Sequence, residues 1–252
     1  MTDLLRITAV SYANTYPFVY GIERSGILKN YKLLLNPPSQ CVTSFENTEC
    51  DIALVPVGAI PRLKAYNIIT DLCIGAVNEV KSVLLVSNKP INEIRSIGLD
   101  RESETSVRLT KVLSKHFWNI NPEWNYIDVR DFAKYSDVDA FTVIGDKAFE
   151  IAPHFTYNID LAVEWRQYTN LPFVFAVWMS HENVSEDSVG NLSEALQFGI
   201  DHIDDVVAQY SSRADCNIDL KSYLTNNIDY RLDEVKRRSL KKFLNYIDVD
   251  EI

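Results

Sequence analysis

Short apolar runs recur along the chain and alternate with stretches in which apolar residues return at the helical period. The first run, LLRITAV at 4–10, is typical of a buried strand. The run FVFAVWM at 173–179 predicts another strand that is buried on both faces. Together the runs predict strands over 4–10, 31–36, 51–57, 68–76, 82–88, 96–100, 125–129, 140–145 and 173–179.

Apolar residues recur at mostly helical spacing in 105–117 and in 189–211, which predicts one helix in each range. Another helix is predicted to start near Asn14–Pro17 and to end near Glu23, and Ser39 is the expected N-cap of a helix over 40–49. Further helices are predicted over 146–152, 160–168, 218–226 and 232–246.

Strands that alternate with helices indicate an α/β fold, and we expect its sheets to be mostly parallel. The two longest apolar strands, 82–88 and 173–179, bracket a middle unit, and we interpret them as crossings between two lobes. The first lobe is then discontinuous, with 1–88 and 180–252, and residues 89–179 form an inserted lobe. We expect the ligand to bind in the cleft between the lobes, where strand ends and helix N-termini converge.

Charge and hydropathy restrict the kind of partner. The 252 residues carry a formal net charge of −10, whereas a general nucleic-acid binder needs a basic surface. A small anionic substrate is compatible with this charge, because a local cluster of hydrogen-bond donors outweighs the mean field. The pattern of a signal peptide is missing and no window approaches about 18 uncharged apolar residues, so we expect a cytoplasmic protein without a membrane span.

The cysteines and histidines do not indicate a metal site. The cysteines, at 41, 50, 73 and 216, form no CxxC pair and no spacing that fits zinc, and we interpret them as small buried hydrophobes. The histidines, at 116, 154, 181 and 202, are scattered and form no HExxH pattern. We therefore expect no bound metal.

Polar residues directly follow the first predicted strand, in the stretch SYANTYP. Ser11, Asn14 and Thr15 form a polar cluster there, and Pro17 follows it. An asparagine amide both donates and accepts hydrogen bonds. Two interpretations are open at this point: Asn14 caps the following helix, or it faces a ligand.

Other candidate polar groups lie at predicted strand and helix ends elsewhere in the chain. Thr105 and Ser106 start a predicted helix, where free N–H groups and the positive end of the helix dipole suit a carboxylate or a phosphate. The alternative is that Ser103 or Thr105 is only an N-cap. Ser82 opens the crossing strand, and Gly145-Asp146 follow the stretch FTVI at 141–144, where the alternative is a turn followed by a helix cap.

The residues form no recognisable nucleophile and base constellation, since GxSxG, GxGxxG and P-loop motifs are missing from the sequence. Glu164 and Trp165, on a predicted helix, are interpreted as surface and packing residues. From the residues alone, the chain is a two-lobed α/β protein that binds a small polar ligand, and no particular reaction follows.

A set of motifs taken together resembles one family. They occur in the order AVSYANTYPFVYGI, DIALVPV, KSVLLVS, LDRESETSVRL, VIGDKAF, DLAVEWRQYTNLPFVFAVW and YLTNNIDYRL, and the most specific parts are TNLPFVFAVW, IGD and TSVRL. From about residue 6 to 245 they resemble the chorismate dehydratase family of the futalosine route to menaquinone. The resemblance implies a periplasmic-binding-protein-like fold of the second type, used as a cytoplasmic enzyme without a cofactor or a metal.

The resemblance also implies a reaction: chorismate loses water to give 3-[(1-carboxyvinyl)oxy]benzoate. The product ring is aromatic, so the driving force belongs to the substrate, and the protein orients two carboxylates and excludes water. The enolpyruvyl carboxylate is itself a candidate base, which agrees with the missing base constellation.

The family pattern implies roles for the candidate residues as well. It places Asn14 and Ser82 at the reacting centre as the catalytic pair, and Thr105 and Ser106 on a substrate carboxylate. We add to the substrate-binding residues Ser11 in the first loop and Gly145 with Asp146 in the IGD turn, although the role of Asp146 is left open between structural and ligand-facing.

Three positions depart from the family pattern. The family commonly has an arginine just before the Thr-Ser pair, where this chain has Glu104. A lysine is frequent where this chain has Tyr16, and a small hydroxyl residue is frequent where it has Val57. A glutamate near a dianion adds repulsion unless it points to solvent.

Two other functions therefore remain open from the sequence. A non-catalytic binding protein for a small carboxylate fits the same fold. The related lyase that forms dihydroxynaphthoate fits the same pathway, although the motifs SYxN and TxLPFVFAVW match the dehydratase better.

Overall fold

Two mixed β-sheets form the framework of the protein. The inner strands of each sheet follow the apolar runs of the sequence, because they bury most of their side chains against the helices or the other sheet, whereas the edge strands bury few. The computed structural model describes residues 4–211 and 218–249. Its strands are β1 (Leu5–Val10), β2 (Tyr31–Asn36), β3 (Ile52–Pro56), β4 (Tyr66–Ala76), β5 (Val83–Ser87), β6 (Ser96–Asp100), β7 (Glu123–Ile127), β8 (Ala140–Ile144), β9 (Tyr157–Asp160), β10 (Phe173–His181) and β11 (Asp229–Arg231).

Helices cover both sheets. They are α1 (Tyr16–Arg24), α2 (Pro38–Glu46), α3 (Glu104–Leu113), α4 (Lys147–Ile151), α5 (Leu161–Thr169), α6 (Glu186–Asp201), α7 (Ile203–Tyr210), α8 (Leu220–Ser222) and α9 (Glu234–Val249). Two 3₁₀ turns, Ala13–Thr15 and Val57–Arg62, lie beside the site described below. Two π-helical turns extend α3 and α8, over Ser114–Trp118 and Tyr223–Asn227.

The first sheet has the strand order β11-β4-β10-β3-β1-β2 and the second has the order β7-β6-β8-β5-β9. The prediction of mostly parallel sheets is wrong. Strand β10 runs antiparallel to β3 and β4, and β5 runs antiparallel to β8 and β9. Both strands enter their sheet from the other one, so no βαβ connection forces them to run parallel to their neighbours.

The chain passes from one sheet to the other twice. Strand β5 belongs to the second sheet and β10 to the first. The chain therefore changes sheets in residues 77–82, which we call the first connecting segment, and again in residues 161–172, the second connecting segment, which contains α5. The predicted lobe boundaries at 88 and 180 stay a prediction. In the structure, the chain changes sheets earlier than these positions, in the two connecting segments.

Several predicted boundaries differ from the structure for local reasons. The single helix expected over 189–211 is interrupted at His202, which leaves the helical region with φ −115° and ψ 38°. Helix α2 begins at Pro38 with Pro37 as its N-cap, so Ser39 lies inside the first turn and is not the cap. Strands β9 and β11 were not predicted, because they are short and their runs are not continuously apolar.

The core is continuous between the sheets. One cluster of buried apolar side chains extends from Ile7 and Leu54 in the first sheet to Leu85 and Leu99 in the second. Trp165 of α5 is fully buried, and its indole nitrogen donates to the Ser239 hydroxyl at 2.9 Å. A smaller cluster covers the far face of the second sheet; it contains Leu84, Val86, Ile127, Val129, Phe141, Val143, Ala148 and Ile151.

Cysteines 41, 50 and 73 are buried, as predicted, and Cys216 lies outside the described residues. Burial raises the pKa of the Cys41 thiol to about 11 and that of Cys50 to about 12. These side chains are therefore neutral thiols that act as small apolar groups.

Helices α1 and α6 touch through their backbones at two glycines. A Cβ atom on Gly21 would lie 1.9 Å from the Ala195 carbonyl oxygen, and one on Gly199 would lie 1.7 Å from the Pro17 carbonyl oxygen. Gly190, on the same helix α6, has no atom within 4 Å of such a Cβ. The two helices therefore depend on glycine at 21 and 199 and not at 190.

We expect Gly199→Ala to lower the free energy of unfolding by about 1–3 kcal/mol, because the added methyl group separates the helices. Gly190→Ala is the matched control, and we expect it to raise the free energy by up to about 1 kcal/mol through helix propensity. Urea unfolding of both variants gives the comparison. Equal changes of the same sign in the two variants would contradict the close contact.

The start of α3 docks against the 3₁₀ turn Val57–Arg62 of the first lobe. The Thr105 hydroxyl donates to the Phe175 carbonyl oxygen at 3.2 Å and accepts from the Gly58 N–H at 3.0 Å. A Cβ atom on Gly58 would lie 2.7 Å from the Thr105 backbone. One buried hydroxyl therefore joins α3, the turn and β10.

We expect Thr105→Val to destabilise the protein by about 1–3 kcal/mol, because it leaves the buried Gly58 N–H without its acceptor. Thr105→Ser keeps the hydroxyl and should retain most of the stability. Thermal and urea unfolding of the two variants measure the difference. A valine variant as stable as the serine variant would show that this bond contributes nothing.

Candidate functional site

A cavity lies between the two sheets and receives residues from eight separate stretches of the chain. The space between its wall atoms, with the open mouth included, is about 510 Å³. Its apolar wall comes from Val10, Pro38, Pro56, Ile74, Val80, Val83, Ile144, Phe175 and Ala176. Its polar side comes from Tyr12, Asn14, Thr15, Ser103, Thr105, Ser106 and the backbone of Gly145.

The start of α3 supplies one polar side of the cavity. Ser103 is the N-cap: its hydroxyl oxygen accepts from the Ser106 N–H at 3.3 Å and its O–H donates to the Ser106 hydroxyl at 2.7 Å. Thr105 lines the cavity too, but its hydroxyl is engaged in the contact with Gly58 and Phe175. The helix start is therefore capped by Ser103, as one of the two interpretations had it, and it still faces the cavity.

Asn14 lies in the 3₁₀ turn directly after β1 and lines the cavity. It is not a helix cap, because the N-cap positions of this turn and of α1 are Tyr12 and Thr15 and neither helix receives a side-chain cap. Its side-chain oxygen accepts from the Thr15 hydroxyl at 3.1 Å, and its backbone oxygen accepts from the Tyr230 hydroxyl at 3.0 Å. Within the described residues the amide nitrogen of Asn14 donates no hydrogen bond, so this donor is available to a ligand.

The Tyr12 ring packs against the backbone of Gly145, and both residues line the cavity. Gly145 has φ +61°, and a Cβ atom there would lie 2.7 Å from the Tyr12 ring. Glycine meets both demands, since it adopts this conformation without a penalty and leaves room for the ring. Burial, with the nearby carboxylates of Glu102 and Asp100, raises the pKa of the Tyr12 phenol, so it stays protonated.

Asp146 is not part of the cavity wall. Its carboxylate accepts from the Ala13 N–H at 3.1 Å, which ties the turn after β8 to the turn after β1. This contact places Asp146 between the two lobes and favours the structural alternative for its role.

Ser82 and Ser11 also lie outside the cavity wall. The Ser82 side chain is fully buried, its hydroxyl oxygen accepts from the Tyr223 hydroxyl at 2.7 Å, and its carbonyl oxygen accepts from the Gly145 N–H at 2.8 Å. Ser11 is exposed, and its N–H donates to the Asn36 carbonyl oxygen at 3.0 Å. The expected contacts of both serines with a substrate stay predictions.

No charged side chain is found among the described residues that line the cavity. Glu104, the first residue of α3, pairs with Arg62 at 3.3 Å and with Arg108 at 3.2 Å. Lys147 is buried between Asp100 at 2.8 Å and Glu102 at 2.9 Å. The charges near the cavity are thus paired with each other behind its wall.

The three positions that depart from the family pattern do not line the cavity. Glu104 is neutralised by its two arginines, so the repulsion expected from it is balanced. Tyr16 stacks on Tyr210 at a ring distance of 4.6 Å, and Val57 is fully buried in the first lobe. None of the three touches the volume that a ligand would occupy.

Sequence reasoning missed several residues of the wall. Tyr12 belongs to the motif SYAN, which was a signal that it lies near the site. Ser103 precedes Ser106 by three residues, which is the spacing of an N-cap and was a signal that it lies at the helix start. Phe175 was placed on the correct strand, but its orientation toward the cavity has no local signal. The valines at 80 and 83 resemble any other buried position.

In the described part of the chain, potential metal ligands form no group of three. Across the same residues, the helices are too short or too polar to traverse a lipid bilayer.

Comparisons with known proteins agree with this architecture. The protein AF1704 from Archaeoglobus fulgidus matches with a TM-score of 0.81 at 15% identity, over 99% of this chain and 98% of that one. A Candida albicans protein described as having the generic periplasmic binding protein fold matches with a TM-score of 0.70 at 13% identity, over 98% and 90%. The sulphonate-binding protein SsuA from Escherichia coli matches with a TM-score of 0.66 at 10% identity, over 100% and 88%. The predicted two-lobed, type II periplasmic-binding-protein-like fold with its cleft is therefore confirmed.

Sequence comparison gives the family. A chorismate dehydratase from Thermus thermophilus is 26% identical over 92% of this chain and 91% of its own length. The sequence pattern of the family described as menaquinone biosynthesis matches residues 5–248. Because the match extends over nearly the whole chain, the protein belongs to the menaquinone biosynthesis family.

Proposed function

We propose that the protein is a carbon–oxygen lyase that dehydrates chorismate to 3-[(1-carboxyvinyl)oxy]benzoate. Family membership and the chorismate dehydratase of Thermus thermophilus support the substrate. The observation that carries the proposal is the composition of the cavity wall, which combines apolar side chains with hydroxyl and amide groups.

The described wall contains no aspartate, glutamate, histidine or lysine, and its tyrosine stays protonated. A reaction whose substrate brings its own base suits such a wall. In chorismate, the ring C3–H bond breaks and its electron pair completes the aromatic ring while the neighbouring C4–O bond breaks. The enolpyruvyl carboxylate takes the C3 proton and passes it to the departing C4 hydroxyl, which leaves as water, so the carboxylate is regenerated.

The polar groups would hold the substrate in this geometry. The free amide nitrogen of Asn14 donates to the oxygen at the reacting centre. Ser103 and Ser106, with the N–H groups at the start of α3, accommodate one carboxylate, since the helix dipole favours a negative charge there. The apolar wall, including Val80 and Phe175, packs on the ring and excludes water.

Ser82 contributes from behind the wall in this proposal. It lies between Val80 and Val83, both of which line the cavity, and its bond to Tyr223 fixes the backbone there. Direct contact of its hydroxyl with chorismate would require Tyr223 to release it.

We expect the purified protein to convert chorismate to the aromatic product, which absorption and chromatography detect together. Protein that binds chorismate but leaves it unchanged, under conditions where a known dehydratase is active, would instead indicate a binding protein. Turnover of a cyclised futalosine derivative, without turnover of chorismate, would indicate the dihydroxynaphthoate-forming lyase.

We expect Asn14→Ala to lower kcat about 100-fold, the usual effect of removing one donor at a reacting centre, and to leave folding intact. Asn121→Ala is the matched control, because Asn121 is exposed and lies outside the cavity. Steady-state kinetics of both variants measure the change in kcat, and thermal unfolding shows whether folding is intact. A near-normal kcat in the Asn14 variant would remove Asn14 from the catalytic centre.

A further inference from the structure

One half-buried carboxylate binds both connecting segments at once. Asp160 Oδ2 accepts from the N–H groups of Val80 and Lys81, each at 2.8 Å, in the first connecting segment. Its Oδ1 accepts from the N–H groups of Ala162 and Val163, at 3.0 and 3.3 Å, in the second. Both crossings between the sheets therefore converge on a single side chain.

This arrangement exceeds what a helix cap requires. Asp128 and Asp219 are N-caps as well, and among the described residues each accepts from its own helix only, from the N–H groups of Arg130 and Ser222 at 3.0 Å. Asp160 caps α5 with one oxygen and uses the other on a segment 79 and 80 residues earlier in the chain. The second oxygen has no part in capping, so it has a function in joining the segments.

The first connecting segment is shaped to meet this carboxylate. Lys81 has φ +62°, a left-handed conformation that is uncommon outside glycine. Arg166, on α5, donates to the Val77 carbonyl oxygen at 2.5 Å and to the Asn78 side chain at 2.7 Å. Arg166 of the second connecting segment therefore also hydrogen-bonds to the first connecting segment, at Val77 and Asn78.

The hydrogen bonds of Asp160 include a residue of the cavity wall. Val80, whose N–H Asp160 holds, lines the cavity, and so does Val83 at the start of β5. Two hydrogen bonds elsewhere join the lobes across the cleft: Gly58 N–H to the Thr105 hydroxyl, and Ala13 N–H to the Asp146 carboxylate.

We propose that Asp160 is a positioning residue that makes the two connecting segments move as one body. It thereby sets the fraction of molecules in which the lobes are closed and the cavity wall is complete. Asp160 itself touches no substrate. Its effect on catalysis rests on the proposed function, whereas its effect on lobe closure does not.

Asp160→Asn tests the proposal, because it keeps the size of the side chain and replaces one of the two acceptor oxygens by a donor. A smaller closed fraction weakens apparent binding by the same factor and leaves the saturated rate unchanged. We expect KM for chorismate to rise about tenfold with kcat within about twofold of wild type. Asp128→Asn, which makes the same substitution at an exposed cap, is the matched control and should leave both constants unchanged.

A second measurement needs no substrate. Amide hydrogen exchange, followed by NMR, reports the opening of the bonds that span the cleft. We expect the Gly58 and Ala13 amides to exchange about tenfold faster in Asp160→Asn and at the wild-type rate in Asp128→Asn. The Asp100 amide, which donates to the Thr142 hydroxyl inside the second sheet, should be unchanged in both variants.

The outcomes separate the two proposals. If wild-type protein does not turn over chorismate, the proposed function fails, and exchange at Gly58 and Ala13 still decides the role of Asp160. If Asp160→Asn lowers kcat at constant KM and leaves exchange at both amides unchanged, the residue is only a cap and the proposal is overturned.

A milder variant covers the case in which Asp160→Asn does not fold. Arg166 is exposed and holds the same segment from α5. We expect Arg166→Ala to accelerate exchange at Gly58 by a smaller factor, and no acceleration would overturn the proposal.

Discussion

The contact between Gly58 and the start of α3 determines how the two lobes meet. Because position 58 has no side chain, the backbone of Thr105 approaches closely, and the Thr105 hydroxyl bridges Gly58 and Phe175. Ser103 and Ser106 belong to the same helix start, so this one contact also sets where the polar side of the cavity stands relative to β10. A larger residue at 58 would displace the binding groups along with the lobe.

The electrostatics of the site are unusual for a protein proposed to bind a dianion. The net charge is −10, and the described cavity wall is uncharged. Arginines 62 and 108 neutralise Glu104, and Lys147 is shared by two carboxylates, so the nearby cations are already committed. Recognition of an anion therefore depends on oriented hydrogen-bond donors, which act strongly where water is excluded.

Local sequence patterns predicted most strands and the position of Asn14, because apolar runs and the residues that follow them are local properties. Long-range partners have no such signal. The Ser82 hydroxyl was expected to contact the substrate. In the structure it accepts a hydrogen bond from Tyr223, which lies 141 residues further along the chain and which no local pattern indicates. Thr105 was expected to hold a ligand, and the structure shows that Gly58 and Phe175 use its hydroxyl. The direction of β5 and β10 was missed for the same reason, since it depends on the path between sheets.

The strand order of the first sheet has a consequence for protein synthesis. Strands β3 and β4 are neighbours in sequence, but β10 lies between them in the sheet. A nascent chain that has left the ribosome only as far as β4 exposes the edges of β3 and β4 that β10 later covers, and unpaired strand edges are templates for pairing. Pairing of β3 with β4 at that stage would close the gap that β10 must fill, and such a trap has to be avoided or undone before the first sheet is complete.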